Sequence, residues 1–167
     1  MFVRFDKATP GSAERKRIVN SFTIELVRHS VAEEEHLYPA VRRLVPAGDA
    51  LADQEIKDHS EAEKLLKQVE QLPPDAATFD DLVARLQAEV SGHVQDEENN
   101  LFPRLRESCD DRELLELGDK IRSAKKAAPT RPHPHPHAPN TPPGNKLLAP
   151  GTGLVDRVRD YLTGRGR

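Results

Sequence analysis

Residues 82–106, LVARLQAEVSGHVQDEENNLFPRLR, nearly repeat residues 18–42, IVNSFTIELVRHSVAEEEHLYPAVR. A constant offset of 64 residues carries His29 onto His93 and Pro39 onto Pro103. Each copy reads Glu, three residues, His, three residues, Glu-Glu, two residues, Leu, an aromatic, Pro, and Arg three further on. The first copy spells this Glu25, His29, Glu33, Glu34, Leu37, Tyr38, Pro39 and Arg42. The second spells it Glu89, His93, Glu97, Glu98, Leu101, Phe102, Pro103 and Arg106.

On an α-helix, residues four apart stand one turn above another on one face. Glu25, His29 and Glu33 therefore form one column, and Glu89, His93 and Glu97 a second. Ile18, Phe22 and Leu26 continue the first column upstream; Leu82, Leu86 and Val90 continue the second. Such a stripe seeks a core, so the polar column turns inward with the leucines. Buried carboxylates and imidazoles need partners, and a metal ion satisfies several of them together.

The flanking sequence extends this into a bundle. Residues 2–7 read as the last turns of a helix, and Ser12 can cap the next one. That helix runs from about Ala13 to Tyr38, where Pro39 removes a donor and kinks or restarts it. A short piece carries Val41, Leu44 and Val45 before Pro46-Ala47-Gly48-Asp49 breaks the chain, with Asp49 as the cap. The next helix covers roughly residues 50 to 71, with Leu51, Ile56, Leu65, Leu66 and Val69 as its stripe. His59 and Glu63 sit four apart on the same side. After Pro73-Pro74-Asp75, a helix from about 78 to 102 kinks at Pro103 and ends near Cys109. Asp110-Asp111 can cap a further helix with Leu114, Leu115, Leu117 and Ile121 as its stripe. Lys120, Arg122, Lys125 and Lys126 near its C-terminus suit the helix dipole.

The fold class is all-α: an up-down four-helix bundle over residues 1–126. Residues 127–152 are Pro/His-rich and read as a disordered linker. Residues 153–167 read as a short amphipathic helix. This basic tail could recruit a protein partner, pair two chains, meet an anionic membrane or fold back on the bundle. His133, His135 and His137 alternate with prolines, a pattern read as a solvated linker rather than a metal tract. The 64-residue offset also places Leu66 on Phe2, Val69 on Phe5 and Pro74 on Pro10. The counterpart of His59 would fall before Met1. The expectation is therefore a first helix reduced to a stub and one open quadrant of the site. Either the true start lies upstream or half of that helix has been lost.

Composition narrows the function classes. Twenty-five Lys and Arg against 28 Asp and Glu give a formal net charge of −3, which argues against nucleic acid as the main partner. A single cysteine rules out an internal disulfide and points to a reducing compartment. No apolar run reaches transmembrane length. The opening MFVRFDKATPGS lacks a hydrophobic signal core, so the expected location is cytoplasmic.

Over about residues 1–108 the paired motifs resemble the hemerythrin-like, or HHE cation-binding, family. The resemblance implies a four-helix bundle holding two non-haem iron ions. It assigns His29 and Glu33 to the second helix, His59 and Glu63 to the third, and His93 and Glu97 to the fourth. Glu33 and Glu97 would bridge the pair. Two departures stand out. The first-helix histidine is absent, and Glu63 stands where oxygen-carrying members have a second histidine. A harder, anionic ligand there disfavours reversible oxygen carriage. The implied ligands are O2, NO or peroxide, in sensing or peroxide-related redox chemistry. The competing reading is a metal-independent helical scaffold acting through its tail. Glu25 and Glu89 are read as acceptors for the histidines or as exposed charges, Glu34 and Glu98 as outer support or solvated face, and His36 as a surface residue. Tyr38 and Phe102 are core residues, with the Tyr38 hydroxyl in reach of the site.

Overall fold

The computed structural model describes residues 2–132, 149–163 and 165. It is all-helical among these residues, as the sequence predicts. A six-residue helix α1, Phe2–Lys7, leads through a turn to α2, Ala13–Ala32. Ser12 is extended and accepts the Arg15 amide, the expected cap. Helix α3, Tyr38–Leu44, continues the same rod, and α4, Gly48–Gln71, returns antiparallel to it. Helix α5, Phe79–Asp96, and α6, Phe102–Ser108, form the next rod. Then come α7, Asp111–Ala127, and α8, Ala149–Thr163. Asp110 and Glu113 close a reciprocal capping box at the start of α7.

Neither proline breaks its rod. Each is preceded by a single π-helical turn, Glu33–Leu37 and Glu97–Leu101. The Tyr38 amide reaches back five residues to the Glu33 carbonyl, and Phe102 does the same to Glu97. The extra residue shifts the register of the proline ring, which would otherwise press on a carbonyl one α-turn back. The chain stays helical while the backbone widens where Glu33 and Glu97 leave it. The sequence reading expected a kink; the structure absorbs it as a π bulge in both copies.

Asp49 does not cap α4. Ala47 holds that position in a left-handed conformation (φ 58) without a side-chain bond, and Asp49 pairs with Arg42 instead. Gly48 is required there: a Cβ on it would lie 2.1 Å from the Val41 carbonyl oxygen.

The core is layered along the bundle. Phe5, Ile18, Val19, Val69, Phe79 and Val83 fill one end. Leu26, Val27, Ala62, Leu65, Leu66 and Leu86 fill the middle. Leu37, Tyr38, Val41, Leu101 and Leu105 fill the other end. Truncating a buried leucine such as Leu86 costs about 2–5 kcal/mol. The polar residues of the repeat lie between the last two layers.

The quadrant expected to be open is filled by α7, which packs along α2 and its π turn. Leu114, Leu117 and Ile121 pack onto the Leu37–Tyr38–Leu101–Leu105 layer. Leu115, placed in that stripe from sequence, points outward at 67% exposure. The flank is clear from α2 and its π turn: Glu34 reaches α4, whereas Glu35 and His36 line a cleft against Glu113, Glu116 and Lys120 of α7.

The tail departs from expectation. Ala128, Thr130 and Pro132 are buried, not part of a loose linker. The Thr130 hydroxyl donates to Asp160 at 2.6 Å, and Arg131 bonds Glu70 and Asp160 at 2.7 Å each. Helix α8 thus lies back on the bundle by its acidic side. Leu154, Val155, Val158, Tyr161 and Leu162 face outward. The expected disorder of 133–148 and the His133, His135 and His137 tract lie outside the described residues.

Candidate metal centre

Three histidines from three rods converge. The ring centroids of His59 and His93 are 4.6 Å apart, and those of His29 lie 6.0 and 6.2 Å from them. His29 and Glu33 come from the α2 rod, His93 and Glu97 from the α5 rod, and His59 from α4 between them. Glu33 bridges the group: one oxygen lies 3.0 Å from His29 Nδ1, the other 3.5 Å from His59 Nε2. His59 Nε2 is 3.1 Å from His93 Nε2, and His93 Nε2 is 3.6 Å from Glu97.

Ligand-type atoms gather in two overlapping groups among the described residues: His29, Glu33, His59 and His93, and Glu55, His93 and Glu97. Glu55 escaped the sequence reading. It is fully buried, with Oε2 2.8 Å from His93 Nδ1. Glu63, expected as a ligand, joins neither group. The reason is topological. Helix α4 runs antiparallel to the other two rods, so the turn level with Glu33 and Glu97 lies before His59, not after it. Four residues before is Glu55. Four residues after is Glu63, beside the apolar middle layer that holds Ala62, Leu65 and Leu66. The pattern Glu-x3-His-x3-Glu on α4 holds both candidates, Glu55 and Glu63, and the direction of the helix selects Glu55.

Tyr38 is fully buried, and its hydroxyl sits 3.1 Å from His59 Nε2 and donates to Glu97 at 3.4 Å. Phe102 offers no such group. Glu34 lies 3.1 Å from His59 Nδ1 and supports that ring from outside. Glu25, Glu89 and Glu98 are exposed, Glu25 pairing with Arg28. His36 is half-buried in the cleft beside α7.

The electrostatics are those of a site short of positive charge. Burial, reinforced by the Glu33 carboxylate, raises Glu97 to about 7. Burial also raises Glu55, against the pull of His93. Burial opposes protonation of His59, but its bonds to Glu33 and Glu34 win and raise it to about 9. Burial lowers His29 to about 4, with Lys125 adding to the effect over the opposing pull of Glu33. Tyr38 is raised by burial and then by the surrounding glutamates.

These residues fit a cation by a direct observation. Glu33 Oε2 and Glu55 Oε1 are buried without a hydrogen-bond partner, the former coming no nearer than 3.5 Å to His59, while the other Glu55 oxygen faces His93 Nδ1. An orphaned buried carboxylate costs more than a lost hydrogen bond, and N/O donors at this spacing suit a transition metal.

Comparison with known proteins agrees with the geometry. The family model of the hemerythrin HHE cation-binding domain matches residues 3–105. An uncharacterized hemerythrin-like protein of Schizosaccharomyces pombe is 28% identical over 144 residues, 86% of this chain and 70% of that one. A DNA nickase of Nostoc is 36% identical over 102 residues, which are 60% of this chain but only 28% of the nickase. No solved structure matches. No helix among the described residues is long and apolar enough to cross a membrane. With bundle, paired motifs and family model in agreement, the chain belongs to the hemerythrin HHE cation-binding domain family.

Proposed function

We propose that the chain is a non-haem iron protein whose converging histidines and glutamates hold a pair of iron ions. His29, Glu33, His59, His93 and Glu97 would hold the pair. The observation that supports this most is the set of orphaned buried oxygens on Glu33 and Glu55 beside three inward imidazoles. A bound iron pair would supply Lewis acidity and one-electron redox steps toward O2, NO or peroxide. The chain's own residues do the rest. Glu55 holds the His93 ring by its outer nitrogen, and Glu34 holds His59. His59 carries the proton that must leave when a cation enters. The Tyr38 hydroxyl lies between His59 and Glu97 and donates to the carboxylate.

The role that follows is sensing of a small ligand or a peroxide-related redox response. With a net charge of −3, a small-molecule partner is favoured over nucleic acid. Iron per chain after aerobic purification tests the reading. It predicts about two irons in wild type and near-ultraviolet ferric absorption, both lost in His93→Ala. Wild type without iron, indifferent to chelators, would leave the helical scaffold reading instead. Peroxide turnover above that of free iron, abolished by Glu97→Ala, would make it an enzyme.

A further inference from the structure

Helix α7 does more than cover the fourth quadrant. Leu117, Ile121 and Lys125 are four apart and share one face, so the face that seals the bundle ends on an ammonium group. Lys125 Nζ lies 3.4 Å from His29 Nδ1. Among the described residues Lys125 pairs with no carboxylate within 4.0 Å.

Among the donor residues, His29 is also the one that meets solvent. Its side chain is 25% exposed, against 7% or less for Glu33, His59, His93, Glu97 and Glu55. The exposed edge, or mouth, of the donor groups is therefore His29, with Lys125 beside it.

We infer that Lys125 makes this a site for small anions such as hydroperoxide or azide, in preference to neutral diatomic gases. The inference rests on the metal-binding reading above. A fixed positive charge at the partly desolvated edge of a site concentrates anions and speeds their arrival. It also offers N–H donors to an anion already inside. A neutral ligand gains neither advantage. Lys125 acts here as a specificity-determining residue, supplied by a helix that follows the two repeats rather than by the repeats themselves.

The test uses the full chain loaded with iron, as wild type, Lys125→Met and Lys125→Arg, with iron content measured in each. Azide is titrated by absorbance, and nitric oxide serves as the neutral probe. Lys125→Met should weaken azide about tenfold and flatten the salt dependence of its association rate, while nitric oxide stays within about twofold. Lys125→Arg should keep azide within about threefold of wild type. Equal azide affinity in iron-loaded wild type and Lys125→Met would overturn the inference while leaving the metal reading intact. So would azide and nitric oxide weakening together, since that marks a structural effect of α7. Wild type that takes up no iron would overturn both.

Discussion

The two copies of the repeat are spelled almost alike and sit in unlike surroundings. In the first, His29 is a quarter exposed, faces Lys125 and is lowered to about 4, mainly by burial. In the second, His93 is 5% exposed and backed by the buried carboxylate of Glu55. Tyr38 of the first copy brings a hydroxyl to the site; Phe102 of the second brings none. Matched spacing made two matched columns. The helix lying on each flank made one of them a mouth and the other a floor.

The largest test of that contrast is the loss of each histidine. His93→Ala strands Glu55 in the interior, and breaking such a buried pair costs about 3–5 kcal/mol. His29→Ala should cost only about 1 kcal/mol, since water can replace its contacts. Denaturant unfolding of the metal-free proteins measures both, and equal losses would erase the distinction between mouth and floor.

Glu55→Gln tests the floor without emptying it. Removing an outer carboxylate from a ligand histidine should lower iron affinity about 10- to 100-fold, read by competition with a chelator. Glu63→Gln is its control and should leave affinity within about twofold.

The histidine between the copies gives a pH signature in metal-free protein. His59 is raised from 6.5 to about 9. Its contribution to stability is present below pH 6.5 and lost as pH rises through about 9. His29, lowered to about 4, has the opposite sign: stability falls as pH drops from 6.5 toward 4. Glu97, raised to about 7, opposes His29 over that acid range, so the alkaline limb is the one melting curves should show. His59→Gln should flatten the alkaline limb alone.

The smallest effect should come from Tyr38→Phe, which gives the first copy the aromatic of the second. Loss of its hydroxyl bond to Glu97 should cost about 1 kcal/mol, read by denaturant unfolding, with iron content unchanged.

Much of this was legible from residue order. The Ser12 and Asp110 caps, the bundle and the inward columns of the repeat follow from local spacing. The π turns were not legible, because a proline in a helix can be met by a kink or by a widened turn, and packing chooses. The orientation of α8 was hidden as well. The sequence left a partner, a membrane and the bundle open for it; the ion pair of Asp160 with Arg131 and the bond from Thr130 seat its polar side on the bundle.

By itself, the sequence determined which residues share a helical face, since four-residue spacing acts within one element. That suffices for His29 with Glu33 and His93 with Glu97. Only the tertiary structure decided which turn of the antiparallel α4 comes level with them, choosing Glu55 over Glu63, and which helix closes the fourth side. Those choices depend on direction and packing between elements, and no spacing along a single helix encodes them.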